Sequence, residues 1–149
     1  MNWIADFETT SSIRYRIDGT SHVWACGLCE VGNPKNIVIL KTIEEFINWC
    51  EAQPTNDKVY FHNMRFDGNF IIQYLLKNGY KFASKPQEKE SRSFTTLISD
   101  KGLWYQIEIF FKIKGKVVNN PGLSQIDSSL SKSYCKELST TYSKRFDRL

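Results

Sequence analysis

Along the first sixty residues, short apolar runs alternate with polar breaks, the pattern of half-buried strands. Residues 2–8, Asn2-Trp-Ile-Ala-Asp-Phe-Glu8, form an apolar-rich run closed by Thr-Thr-Ser-Ser. A second strand is expected from His22 to Val31, ended by Gly32-Asn33-Pro34, and a third from Asn36 to Leu40. From Thr42 to Ala52 the period changes. Ile43, Phe46, Ile47 and Cys50 recur at helical spacing, with Thr42 as N-cap and Glu45 three residues on.

A fourth strand is expected from Lys58 to His62, then a second helix from about Asp67 to Asn78 showing Phe70, Ile71, Tyr74 and Leu75 on one side. Gly79 supplies its C-cap. Residues 83–93 are polar and predict a loop. Phe94–Ser99 and Leu103–Ile113 flank Asp100-Lys-Gly102, a hairpin signal. Lys116 to Asp127 has no clear period and is broken by Asn119-Asn-Pro-Gly122; a weak polar helix is expected from Ser129 to about Leu138.

Three strands in succession favour an antiparallel meander. A strand returning after a helix then lies parallel to a neighbour by a right-handed crossover. The expected fold is α/β, a ribonuclease-H-like mixed sheet with flanking helices and an added β-hairpin, although other mixed folds share this order of elements.

The 149 residues, 41% hydrophobic and 14% aromatic, suit one domain with a real core and exclude a disordered tail. No apolar run approaches the roughly 20 residues of a membrane span. Acidic Asp6 and Glu8 stand where a secretory signal would need an apolar stretch. The expected location is the cytoplasm. Residues 1–100 carry 11 Lys+Arg against 12 Asp+Glu, net −1, whereas residues 101–149 carry 9 against 4, net +5. That asymmetry suits a polyanionic partner or a solvated basic face. Cys26 and Cys29 have the spacing of half a zinc site, but on a strand they point to opposite faces. Neither Cys50 nor Cys135 completes a second half, so a structural zinc is not expected.

Asp6 and Glu8 share one face of a strand, about 6.6 Å apart along its axis. Either they are surface acids at a strand end, or they hold hard divalent cations through oxygen ligands. Tyr60-Phe-His-Asn-Met-Arg-Phe-Asp-Gly-Asn-Phe70 joins the fourth strand to the second helix. There Asp67 is either a helix cap or a further ligand at the C-terminal end of a parallel strand. Asn63 is suited to phosphate or sugar. Tyr60, His62, Phe66 and Phe70 offer stacking surfaces for unpaired bases, with core packing as the alternative for Phe66 and Phe70.

These two segments, Asp6-Phe-Glu-Thr-Thr10 and Tyr60 to Phe70, resemble the first and second exonuclease motifs of family B DNA polymerases. More narrowly, they are similar to the protein-primed enzymes of small phages and linear plasmids. Val23-Trp-Ala-Cys-Gly27, Asn78-Gly-Tyr-Lys81, Gly102-Leu-Trp-Tyr105 and Lys112-Ile-Lys-Gly-Lys116 fit the same family. The resemblance is clearest over residues 2–116 and leaves 117–149 as a divergent, basic segment. It implies a 3′–5′ exonuclease acting in DNA replication with two divalent cations, Mg²⁺ or Mn²⁺, on Asp6, Glu8 and Asp67. It also implies contacts to the single-stranded 3′ end from Thr9, Asn63 and Phe66. Tyr60, His62 and Phe70 match positions that contact DNA or the priming protein.

The family's Ser/Thr-Leu single-strand motif has its nearest match at Ser129-Leu130. The third exonuclease motif, Tyr-x-x-x-Asp, is absent, since Tyr142 to Asp147 is one residue too long. The chain is therefore expected to be the N-terminal part of a protein-primed DNA polymerase, either truncated or encoded as a split gene with a separately encoded polymerase part as partner: a single, incomplete exonuclease-like domain of weak activity, cut before its last carboxylate motif. Two alternatives are a small stand-alone exonuclease that takes its last ligand from Asp127, Asp147 or a partner, and a non-catalytic module binding single-stranded DNA or the terminal protein.

Overall fold

A computed structural model describes residues 1–10, 21–53, 57–113 and 116–125. The elements run β1 (Asn2–Thr9), β2 (Val23–Glu30), β3 (Asn33–Leu40), α1 (Ile43–Ala52), β4 (Lys58–Phe61), α2 (Met64–Lys77), β5 (Lys81–Phe82), β6 (Ser93–Ile98), β7 (Trp104–Ile113) and β8 (Lys116–Gln125). All eight strands join one mixed sheet in the order β3-β2-β1-β4-β8-β7-β6-β5. The expected meander forms β3-β2-β1, and β4 lies parallel to β1 with Ala5 opposite Phe61.

Alternation along β1 sends Trp3, Ala5 and Phe7 into the main core and Ile4 into a smaller cluster. Phe7 packs edge-on against Phe46 of α1 and Phe61 of β4, with ring centroids 5.1 and 5.2 Å away. That anchor holds Asp6 and Glu8, its neighbours of opposite parity, in a fixed orientation. Cys26 and Cys29 fall into different clusters, as strand alternation requires of residues three apart.

Both helices carry the expected caps, with changes of detail. Thr42 accepts from the Glu45 amide at 3.1 Å, while the Glu45 carboxylate reaches back to the amide of Lys41 at 2.7 Å. Gly79, at φ +81°, closes α2 as the left-handed residue of a Schellman motif, with Tyr80 N–H on the Leu75 carbonyl and Gly79 N–H on that of Leu76. The β6–β7 turn forms over Asp100-Lys-Gly102, with Gly102 at φ +77°.

Three expectations need correction. β3 begins at Asn33, because it is an edge strand and Pro34 removes no interior ladder bond there. Residues 116–125, which show no clear period and a break at Asn119-Asn-Pro-Gly122, form a strand. Between the pairs Glu108–Gly122 and Phe110–Asn119 one residue of β7 faces two of β8. This bulge absorbs Asn120 and Pro121, and the parallel pairing with β4 starts only at Gly122. The β6–β7 hairpin is consequently joined to the main sheet through β8. Finally, α2 begins at Met64, three residues before the expected start. The expected helix from Ser129 to Leu138, with Ser129, Leu130 and Cys135, lies outside the described residues.

Candidate active site

β1 and β4 run parallel, and β1 extends beyond the last paired residue of β4, so Asp6 and Glu8 stand where the chain leaves β4 for α2. Asn63 starts that helix. Its side chain accepts from the Phe66 amide at 3.3 Å, and its carbonyl accepts from the Asp67 amide at 3.0 Å. Asn63, not Asp67, is thus the cap. The capping account of Asp67 fails, because it is the fourth helical residue and only 3% exposed. A buried carboxyl without a capping role is costly unless something compensates it.

Burial raises the Asp67 carboxyl to about 8, helped by the negative charges of Asp6 and Glu8. Burial also raises Asp6, partly opposed by His62, and raises Glu8, which feels Asp6. The three acids therefore form one electrostatic group. Among the described residues, no three His, Cys, Asp or Glu side chains are gathered closely enough to grip a single metal ion. The donor set nevertheless suits hard cations: oxygen ligands only, mutually repelling, with one carboxyl protonated near neutral pH.

Around these acids lie the residues expected to meet DNA. Thr9 ends β1, half-buried and opposite Val23. Tyr60 packs against the smaller cluster of Ile4, Ala25 and Cys29. His62 and Asn63 are exposed. Phe66 is 47% exposed and meets Phe70 edge-on at 5.3 Å, while Phe70 leans on the core. The structure thus brings Asp6, Glu8, Asp67, His62, Asn63 and Phe66 to one end of the sheet, with Tyr60 and Phe70 as partly buried supports.

Beside this end lies a groove of about 400 Å³ between the β4–α2 junction and the β6–β7 turn, lined among others by His62, Asn63, Arg65, Lys101, Trp104 and Tyr105. The sequence reading assigned no role to Arg65, Lys101, Trp104 or Tyr105. Besides the family-like segments that contain Arg65, Trp104 and Tyr105, their sequence signal is that cations and aromatics recur about 35 residues apart, from Arg65-Phe66 at the start of α2 to Lys101 with Trp104-Tyr105.

No protein-family profile matches the chain. Over 111 residues, 74% of the chain, it is 38% identical to the DNA polymerase of Bacillus phage M2 and 34% identical to that of Bacillus phage phi29. Solved structures of phi29 DNA polymerase, one complexed with primer-template DNA and incoming nucleotide substrates and one with single-stranded DNA, superpose with TM-scores of 0.68 and 0.69. Each is 29% identical and covers 83% of the chain. The chain is homologous to the N-terminal region of phi29-type phage DNA polymerases. It spans 18% of the length of the phage relatives it matches and 20% of the phi29 polymerase chains. Among the described residues, no helix of this phi29-type chain is long and apolar enough to cross a membrane.

Proposed function

We propose that the chain is the exonuclease part of a protein-primed DNA polymerase and removes nucleotides from single-stranded DNA 3′ ends during replication in the host cytoplasm. The observation that carries this is Asp67, a carboxyl buried one turn into α2 with no capping duty and facing the charges of Asp6 and Glu8. Two divalent cations, Mg²⁺ or Mn²⁺, supply charge neutralisation at the scissile phosphate and an activated water when bound. Asp6, Glu8 and Asp67 would hold them. Asn63 and Thr9 then orient the terminal sugar and phosphate, and exposed Phe66 stacks on a base. His62, close enough to Asp6 for their charges to interact, positions that carboxylate.

Activity of this chain alone is expected to be weak. The sequence has no Tyr-x-x-x-Asp, so three carboxylates would have to balance about four positive charges. The same observation favours a second reading, a binding module for single-stranded DNA or the terminal protein. A 5′-labelled oligonucleotide incubated with Mg²⁺ or Mn²⁺ separates the two. A slow ladder shortening from the 3′ end, lost in Asp6→Ala, supports the exonuclease. No ladder together with salt-sensitive binding supports the module, and neither activity nor binding rejects both.

A further inference from the structure

The groove between the β4–α2 junction and the β6–β7 turn has the size and lining of a binding site. Its volume of about 400 Å³ falls in the usual range of ligand pockets, roughly 300–1,000 Å³. Arg65 stands on one wall and Lys101 on the other, and among the described residues no carboxylate lines it. Neither cation forms an ion pair among the described residues. Tyr105 is 47% exposed in the same groove, while Trp104, its neighbour on β7, is half-buried with its ring turned to Gly68 and the core. An open aromatic ring beside cations that form no ion pair among the described residues is a surface that a strand of unpaired bases recognises: phosphates take the charge and a base takes the ring face. A duplex hides those base faces.

The groove is also tied to the carboxylates. A Cβ placed on Gly68 would sit 3.1 Å from the Trp104 ring and 3.2 Å from Ile107 Cδ1. The missing side chain lets β7 press directly on the first turn of α2, next to Asp67. His62 and Asn63 line the groove and border the acids as well. A strand degraded from its 3′ end has only one nucleotide beyond the scissile phosphate, so whatever fills a neighbouring groove lies on the 5′ side.

We infer that this groove carries the single strand 5′ of the nucleotide being removed, with Arg65 and Lys101 on its phosphates and Tyr105 against its bases. The assignment to the 5′ side rests on the exonuclease reading above; single-strand binding in the groove does not.

The test uses the full 149-residue chain in EDTA, with fluorescence anisotropy of labelled dT4 and dT12 at several salt concentrations. Wild type is expected to bind dT12 more tightly than dT4. Lys101→Ala, Arg65→Ala and Tyr105→Ala should each weaken dT12 about 3- to 10-fold and narrow that difference. Each cation variant should also lower the slope of log K against log salt by about 0.7. Circular dichroism establishes that the variants, all at exposed positions, remain folded. Unchanged dT12 affinity and salt slope in all three overturn the groove, whatever the nuclease result. A blunt duplex or a poly-glutamate competing as well as dT12 overturns the single-strand assignment. If the groove variants lose dT12 while wild type and Asp6→Ala are equally inert in the nuclease assay, the exonuclease reading falls, and the 5′ assignment with it. Single-strand binding then stands.

Discussion

Asp67 concentrates the chemistry of this chain at one atom group. The folded protein keeps a proton on it up to about pH 8, whereas the unfolded chain releases that proton near its ordinary 3.8. Between these values the folded state binds more protons than the unfolded one, so stability falls as pH rises from about 4 to 8. Asp6 and Glu8 shift in the same direction and add to the slope. Asp67→Asn removes the charge but keeps the shape. In metal-free buffer it should raise the melting temperature relative to wild type at pH 8, and the gain should vanish near pH 4. The expected gain is about 1–3 kcal/mol, the usual penalty of a poorly compensated buried polar group; a gain independent of pH would contradict the burial argument. Mg²⁺ or Mn²⁺ should stabilise wild type at pH 8 by binding only the folded state, and Asp67→Asn far less. Calorimetry with and without EDTA measures both effects.

At the level of elements, the start of α2 determines where Asp67 points. Asn63→Ala removes the acceptor for the Phe66 amide and should cost about 0.5–2 kcal/mol, as should Thr42→Ala at the start of α1. The two should differ in consequence. Thr42→Ala leaves oligonucleotide binding at its wild-type level, while Asn63→Ala weakens it, because Asn63 lines the groove and Thr42 does not. Equal binding by both variants would separate the cap from the site. Gly68→Ala tests the contact between α2 and β7. Alanine gains about 1 kcal/mol in helix propensity, but the Trp104 ring must move a few tenths of an ångström. Overpacking of about 1–3 kcal/mol should win, giving a lower urea midpoint that Trp104→Leu partly restores.

For the whole molecule, the sheet order places the acids at one end and the β6–β7 turn beside them, because β8 inserts between β4 and β7. This brings cations from two distant parts of the chain to one groove. With about two to four phosphates neutralised, raising salt from 50 to 200 mM should weaken dT12 binding roughly 7- to 50-fold. A salt-independent affinity would remove phosphate contact from the account.

Much of this was legible locally. The apolar run of β1, the helical spacing of Phe46, Ile47 and Cys50, the caps at Thr42 and Gly79 and the turn at Asp100–Gly102 are short-range signals, and each appears in the fold. The pairing of Asp6 with Glu8 on one strand face needed only the two-residue period. β8 was not legible. Its Asn-Asn-Pro-Gly reads as a break until the bulge opposite β7 gives the proline a place. The start of α2 is equally hidden in the sequence, since Asn63 and Asp67 are both acceptable caps by residue type, and only packing buries one of them.

By itself, the sequence determined most of the elements from β1 to β7, the acid pair and the homology to phage polymerases, because periodicity, capping and motif spacing act over a few residues of chain. Tertiary structure alone decided that Asp67 is buried among like charges and that Arg65 and Lys101 face one groove. Both depend on dielectric surroundings and on contacts between strands that are distant in the chain, which no local pattern encodes.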